Sequence, residues 1–431
     1  MLTAFARAFR TPDLRRKIFF TLGIVLVYRI GAFIPGPGVS YVAIQRCLAQ
    51  VEGEGIYGLV NLFSGGALLQ LSIFALGIMP YITASIILQL LVVVIPRLEQ
   101  LKKEGQAGQA KITQYTRYLT VALAVLQSTG IIALARSGNL FPDCQEAIIP
   151  DDRVVRILVL VLTMTAGTAV IMWLGELITD RGVGNGMSML IFVSIIASVP
   201  GQAVNLYRQD NGAFIVAGVA VLALVVITLV VFVEQAQRRI PVQYAKRMIG
   251  RRMYGGTSTY IPLKVNQAGI IPVIFASSLL YLPQLMSNVW TGNATFTRII
   301  TTYFQDPGNP VYLAIYFALI VFFTYFYVAI TFNPVEVSDN MKKYGGFVPG
   351  IRPGRATAEY LDYILSRITA FGAMYLGAVA VLPYLLFELA GTQNQIPFGG
   401  TAVLIIVGVG LETVKQVESQ LMLRNYEGFL R

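Results

Sequence analysis

The sequence predicts an all-α polytopic membrane protein, with ten transmembrane helices arranged as two inverted five-helix halves. Three observations carry this. First, the 431 residues include only 33 basic and 22 acidic side chains, 13% of the chain, about half the charge density of an average soluble domain. Second, 55% of the residues are hydrophobic; a water-soluble protein of this length would still need a polar coat that so few charges cannot supply. Third, one stretch in the first half of the chain recurs in the second. Disorder, a nucleic-acid-binding globule and an ordinary cytosolic enzyme are excluded by the composition.

A bilayer core of about 30 Å needs about 20 mostly apolar residues per helix. Such runs fall at about 18–36, 72–95, 113–135, 154–177, 187–206, 214–235, 268–286, 311–332, 369–389 and 399–421. The eighth run is free of charge throughout, and Pro200 with Gly201 is expected to end the fifth early. Arg29 interrupts the first run and no small-residue cleavage pattern follows, so it reads as a retained span rather than a signal peptide. Ahead of it, Leu2, Phe5, Phe9 and Leu14 alternate with basic residues as in a helix lying on a membrane surface.

Lysine and arginine fix the orientation. With the amino terminus inside, 26 of the 33 basic residues fall on the inner side; the other seven are Arg29, Arg46, Arg136, Arg153, Arg156, Arg208 and Arg298. Both termini are therefore expected in the cytoplasm, and the net charge of +11 serves topology and inner-side loops rather than DNA.

The recurring stretch reads GIMPYITASIILQL at 77–90 and GIIPVIFASSLLYL at 269–282, identical at eight of 14 positions. The copies lie in the second and seventh predicted spans, an odd offset of five, so they cross the membrane in opposite directions. That is the mark of an inverted duplication whose working site lies where the halves meet. Pro80 and Pro272 are expected to kink these two helices.

Several motifs resemble the SecY family, the central subunit of the bacterial protein-conducting channel. They are YRIGAFIPGPG (28–38), LFSGGA (62–67), FALGIMPYITASIILQLL (74–91), KEGQAGQAKITQYTRY (103–118), MWLGELITDRGVGNGMS (172–188), RRIPVQYAKR (238–247), IPLKVNQAGIIPVIFASS (261–278) and FNPVEVSDNMKKYGGFVPGIRPG (332–354). They follow the family's order over nearly the whole chain. The resemblance implies a central pore between the halves and a short plug helix at about 56–71. It divides the chain into a cytoplasmic amphipathic N-terminus (1–17), an N-terminal half (18–207) and a C-terminal half (208–421). Cytoplasmic loops are expected at about 236–265 and 333–366, and a cytoplasmic tail at 422–431.

Carried over by motif, the aliphatic ring that closes the pore falls at Ile78, Ile82, Ile191, Ile274 and Ile405. Ile82 and Ile274 are also equivalent positions of the internal repeat, which the family match does not supply. An aliphatic collar offers water and ions no hydrogen bonds and gates by dewetting. The plug motif is Leu62, Phe63, Ser64, Gly65 and Gly66; each glycine weakens a helix by about 1 kcal/mol relative to alanine, which suits a displaceable stopper. Thr83, Gln89 and Asn266 are the polar candidates at a lateral gate between spans two and three and spans seven and eight. Lys246, Arg247, Arg251, Arg252 and Arg352 are the candidates for docking a motor or ribosome, with Gly255 and Gly256 at the loop tip departing from the typical pattern.

The implied partners are SecE, SecG, the SecA ATPase, the ribosome, the membrane insertase, signal peptides, unfolded preproteins and lipid, with no cofactor and a bacterial plasma-membrane location. The chain carries no phosphate-binding loop of the G-x-x-x-x-G-K-[ST] type, so no enzymatic activity is expected and the energy comes from a partner. The absence of histidine excludes imidazole chemistry. Cys47 and Cys144 fall in predicted outer loops, either as a disulfide or as free thiols. The rival class is an ion-coupled secondary transporter, which shares inverted repeats but places ionisable groups within the membrane. The charges inside the predicted spans lie mostly near their ends, with Glu412 the deepest worth naming.

Overall fold

Each predicted apolar stretch carries a helix in the computed structural model, which describes residues 9, 11–50, 64–136, 148–150, 153–207, 212–244, 247–249, 252–254, 258–289, 298, 300, 303, 309–389 and 399–429. The first half comprises α1 (Pro12–Phe33), α2 (Tyr41–Gln50), α3 (Met79–Val94), α4 (Pro96–Lys103), α5 (Gln106–Arg136), α6 (Val154–Arg181) and α7 (Gly186–Tyr207). The second comprises α8 (Gly212–Gln235), α9 (Ile271–Val289), α10 (Pro310–Thr331), α11 (Pro334–Lys343), α12 (Arg355–Leu389) and α13 (Gly400–Phe429). Among the described residues six helices are long and apolar enough to cross a membrane, or seven if α3 and α4, bent by 100°, count as one span; α7 and α9 contribute shorter apolar segments.

The packing order explains how two halves become one ring. In the first half α5 packs between α3 and α6, and α6 reaches α7 and α1. In the second, α9 packs on α10, α10 on α12, α12 on α13 and α13 on α8. The halves meet along two seams: α9 against α3 and α5 on one side, α7 against α8 and α13 on the other.

The repeat is visible in the backbone. Gly77 has φ +55° and Gly269 φ +63°, a left-handed conformation that glycine adopts without the Cβ penalty. Two residues later α3 begins at Met79 and α9 at Ile271. The amides of Tyr81 and Ile82 donate to the Ile78 carbonyl, both at 3.1 Å, and those of Val273 and Ile274 donate to the Ile270 carbonyl at 3.1 and 3.3 Å. Residue for residue, the two helices start alike.

Three expectations need correction. Pro80 and Pro272 sit at the second position of α3 and α9 rather than inside them. A first-turn amide has no intrahelical partner, so there the prolines help to start a helix and do not kink it. Helix α7 runs through Pro200 to Tyr207 instead of ending early. Nor is the fold purely helical: β1 (Gln237–Tyr244), β2 (Arg247–Ile249), β3 (Arg252–Tyr254), β4 (Ser258–Lys264) and β5 (Gly346–Phe347) are strands. β1 pairs antiparallel with β4 from Gln237 opposite Lys264 to Gln243 opposite Ser258. It also pairs with β5 through Gln243 with Phe347 and Tyr244 with Gly346. The two long loops thus join into one platform with its own core of Ile240, Val242, Leu263, Met341, Val348, Leu361 and Ile364.

Cys47 is fully buried and disulfide-bonded, which resolves the alternative left open by the sequence; Cys144 lies outside the described residues. Of the surface-helix residues, Phe9 is exposed and meets Phe19 edge-on. Leu14 is buried with Val183 and Val417, while Leu2 and Phe5 lie outside the described residues.

Leu361 is fully buried at the centre of the platform core. Leu361→Ala is expected to cost about 2–5 kcal/mol locally. Limited proteolysis of the intact protein should then cut faster within 237–264 and 334–354 while the helices stay protected; unchanged cleavage would show that the platform is not held by this core.

Candidate functional site

The five ring isoleucines come from four different places in the chain and arrive in one contiguous apolar cluster, all buried. Ile78 precedes α3, Ile82 lies in α3, Ile191 in α7, Ile274 in α9 and Ile405 in α13, so both halves contribute. The repeat points to a further member that motif matching missed. Ile270 is the repeat equivalent of Ile78, is buried in the same cluster and lies against Gly408 of α13, where an added Cβ would come within 2.5 Å of its side chain.

Beside this cluster lies a cavity of about 440 Å³ framed by α3, α5, α6, α7 and α9. Ile82, Ile191 and Ile274 form its apolar wall, while Gln89, Arg117, Glu176 and Asn185 supply polar groups. Arg117 donates from Nε to Glu176 Oε1 at 2.9 Å and from Nη2 to Oε2 at 2.8 Å, a bidentate fork with defined geometry. Nη1 also donates to Gln114 Oε1 at 3.1 Å. A polar vestibule thus adjoins the aliphatic cluster at the end of the bundle that carries Lys111 and Arg181.

The three gate candidates are not bonded to one another. The Thr83 hydroxyl donates to the Met79 carbonyl of its own helix at 3.0 Å, and Gln89 donates to Ser85, one turn back, at 3.4 Å. Asn266 is buried and donates to Glu234 at the end of α8 and to the Gly269 carbonyl at 3.1 Å. These bonds stay within α3 or within the connection from α8 to α9 and do not cross from α9 to α3 or α5. What closes that seam is apolar: Ile82, Ile86, Ile274 and Phe275 belong to the shared cluster, and Phe275 packs edge-on against Phe323 of α10.

Of the plug motif, Ser64, Gly65 and Gly66 are described, and Leu62 and Phe63 lie outside the described residues. Ser64 Oγ accepts the Leu68 amide at 3.1 Å, and Gly65 (φ +66°) and Gly66 (φ +91°) turn the chain tightly. Ala67, Leu68 and Leu71 are buried, the latter two packing with Ile44, Cys47, Ile131 and Leu160. Leu71 has φ +44°, a region that costs a non-glycine residue of order 1 kcal/mol or more. After it the chain is pinned, because Ile73 donates to the Ile34 carbonyl and Gly36 to the Leu71 carbonyl, both at 2.9 Å.

The docking candidates divide. Arg247 and Arg252 stand on the paired strands β2 and β3, while Lys246 and Arg251 lie outside the described residues. Arg352 is exposed on a turn between Gly350 (φ +83°) and Gly354 (φ +101°). Its carbonyl accepts from Thr357 at 2.9 Å, and the Gly354 carbonyl accepts from the buried Ser338 at 2.7 Å. The backbone is held from both sides while the guanidinium stays at the surface.

Comparison with known proteins agrees with this arrangement. The SecY family model matches residues 72–414. The protein translocase subunit SecY of Streptomyces scabiei is 66% identical over 437 residues, covering all of both chains. The chain belongs to the SecY family. Among solved structures, a protein-conducting channel superposes with TM-score 0.66 at 17% identity, covering 94% of this chain and 91% of its own. Two more share TM-score 0.63, 18% identity and the same coverage. One is a SecY whose plug domain stabilises the closed state and maintains a membrane seal; the other is Sec61 in a canine ribosome–channel complex. The chain thus shares the multi-span fold of these channels and is similar throughout its length to subunits of a protein translocase.

Arg117 and Glu176 are functional candidates that reading the SecY motifs did not assign, although both lie within quoted stretches. Their signal was two opposite charges near the same ends of adjacent spans. With side-chain exposures of 42% and 21%, the pair is expected to contribute about 1 kcal/mol. A double-mutant cycle of Arg117→Met and Glu176→Gln, read by denaturation in detergent, should give a coupling of that size; additive effects would show that the pair is not a structural tie.

Proposed function

We propose that this chain forms the channel of a Sec translocon, carrying unfolded secretory proteins across the bacterial plasma membrane and releasing apolar segments sideways into lipid. The observation that carries the reading is the meeting of ring isoleucines from both halves in one buried cluster with a polar vestibule beside it. A chain entering the vestibule meets hydrogen-bonding groups first and an aliphatic collar next. The collar passes side chains with little preference and denies ions their hydration. The plug segment is the stopper on the far side. The seam of α9 with α3 and α5 is the lateral exit, because mostly apolar packing holds it shut and an apolar signal segment can replace that packing in kind.

The platform of β1, β4, β5 and α11, together with the β2–β3 pair inserted between β1 and β4, is the docking surface for a ribosome or the SecA motor, with Arg247, Arg252 and Arg352 as its basic contacts. The ribosome-bound Sec61 neighbour supports this in fold. SecE and SecG are the proposed membrane partners, covering the apolar faces of helices such as α8, whose Phe214, Leu224 and Phe232 are exposed. The basic asymmetry places both termini in the cytoplasm. The transporter alternative is disfavoured by its own acids, since Glu176 is committed to Arg117, Glu234 accepts from Asn266 and Glu412 is exposed.

Replacing Ile82 and Ile274 together with glycine should make the resting channel conduct ions in planar bilayers; unchanged conductance would contradict the ring. Arg352→Glu is expected to reduce SecA-driven secretion at least tenfold, by charge reversal at a docking contact, while leaving insertion of the protein itself intact. Normal secretion would remove Arg352 from the docking surface. The function as a whole is tested by reconstitution with SecE and SecA, scoring ATP-dependent protection of a preprotein. Uptake of a small solute without protection would return the transporter.

A further inference from the structure

Arg29 is a cation inside the first apolar helix, and such residues are costly in a membrane unless a partner receives them. Among the described residues no carboxylate pairs with it. Its Nη1 donates to the carbonyl of Gly65 at 3.1 Å, and its guanidinium lies over the Phe33 ring, 5.1 Å from the centroid. The acceptor belongs to the plug motif. The neighbouring residue anchors the donor: the Tyr28 hydroxyl bonds Ser194 Oγ of α7 at 2.7 Å, and its ring stacks on Phe74 with centroids 6.0 Å apart. Ser194 Oγ is itself tied to the Leu190 carbonyl at 2.9 Å.

Gly65 is clamped between these two helices. A Cβ added there would fall 2.7 Å from Arg29 Nη1, 3.1 Å from Ser194 Cα and 3.2 Å from the Ser194 carbonyl oxygen. With φ at +66°, the position demands glycine both for its conformation and for the close approach. The segment rests on α7 with only backbone between them, while Arg29 holds it from the side of α1. The strained Leu71 (φ +44°) lies at the other end of the same segment, where it joins the pinned turns before α3. One end therefore carries strain, and the other carries a charge-assisted hydrogen bond from Arg29.

We infer that Arg29 is the positioning residue that latches the plug segment in its closed place, by holding the Gly65 carbonyl against α7. This rests on reading that segment as the stopper and names the contact that keeps it seated. Breaking the bond releases the stopper without touching the ring or the lateral seam. A hydrogen bond to a charged group is worth enough that its loss should raise the open fraction roughly tenfold or more.

The test compares resting ion conductance of the reconstituted complex for wild type, Arg29→Met, Arg29→Lys and a deletion of residues 64–70. Met keeps the packing of the stem and removes the donor, so Arg29→Met is expected to raise resting conductance roughly tenfold. Lys restores a donor and should recover much of the seal. The deletion is expected to leak at least as strongly as Arg29→Met. If the deletion leaks and Arg29→Met does not, the latch is wrong and the stopper stands. If neither leaks, the stopper reading fails and the latch with it. If Arg29→Met and Arg29→Lys leak equally, a donated hydrogen bond is not what holds the segment. Should Arg29→Met fail to assemble, Arg29→Gln, which loses the charge and reach, takes its place with the same expected direction.

Discussion

The structure depends on one constraint: a backbone at membrane depth must either be helical or be buried in protein. Residues 72–78 lie within a predicted span yet form turns, and α3 begins only at Met79. That is tolerated because Ser72, Ala75, Leu76 and Ile78 are themselves buried. The same late start at Ile271 in the other half makes α3 and α9 short, leaving irregular backbone where the halves face each other. A channel between two halves needs such a place, since two continuous bundles of full-length helices would pack without one.

From that constraint the remaining parts follow in order. The late starts place Ile78 and Ile270 just ahead of α3 and α9 and Ile82 and Ile274 in their first turns, and α7 and α13 complete the apolar cluster. The hydrophilic Arg117–Glu176 fork stands away from this cluster, at the wall of the cavity. The plug segment sits between α1 and α7, where Gly65 allows backbone to touch backbone. The strands β1, β4 and β5 pack on a small core of their own, separate from the large apolar cluster of the bundle.

Much of this was legible in the sequence because lipid imposes long apolar runs and the repeat marks equivalent positions. The repeat pairs Ile82 with Ile274 and Ile78 with Ile270 as candidate collar positions, and all four are buried in one cluster. The sheet was not legible for a physical reason: β1 pairs with β5 through Gln243 and Phe347, about a hundred residues apart, and Pro241 within β1 argues locally against a strand. The prolines of the repeat were misread because kinking and helix starting use the same residue, and only the helix boundary separates them. Asn266, a gate candidate through its motif, also ties the end of α8 to the turn before α9, a contact that no sequence pattern announces. Of the apolar side chains along the lateral seam, Ile86 and Phe275 carry no signal that sets them apart from ordinary span residues.

The central claim is that a polypeptide passes between the two halves at the isoleucine cluster. A photo-crosslinking residue placed at position 82 or 274 in the reconstituted complex, with a preprotein arrested in transit, tests it most directly. Adducts to the preprotein at both positions, and none from position 232 on the outward face of α8, are the predicted result. Adducts from position 232 with none from 82 or 274 would place the path outside the interface and contradict the account.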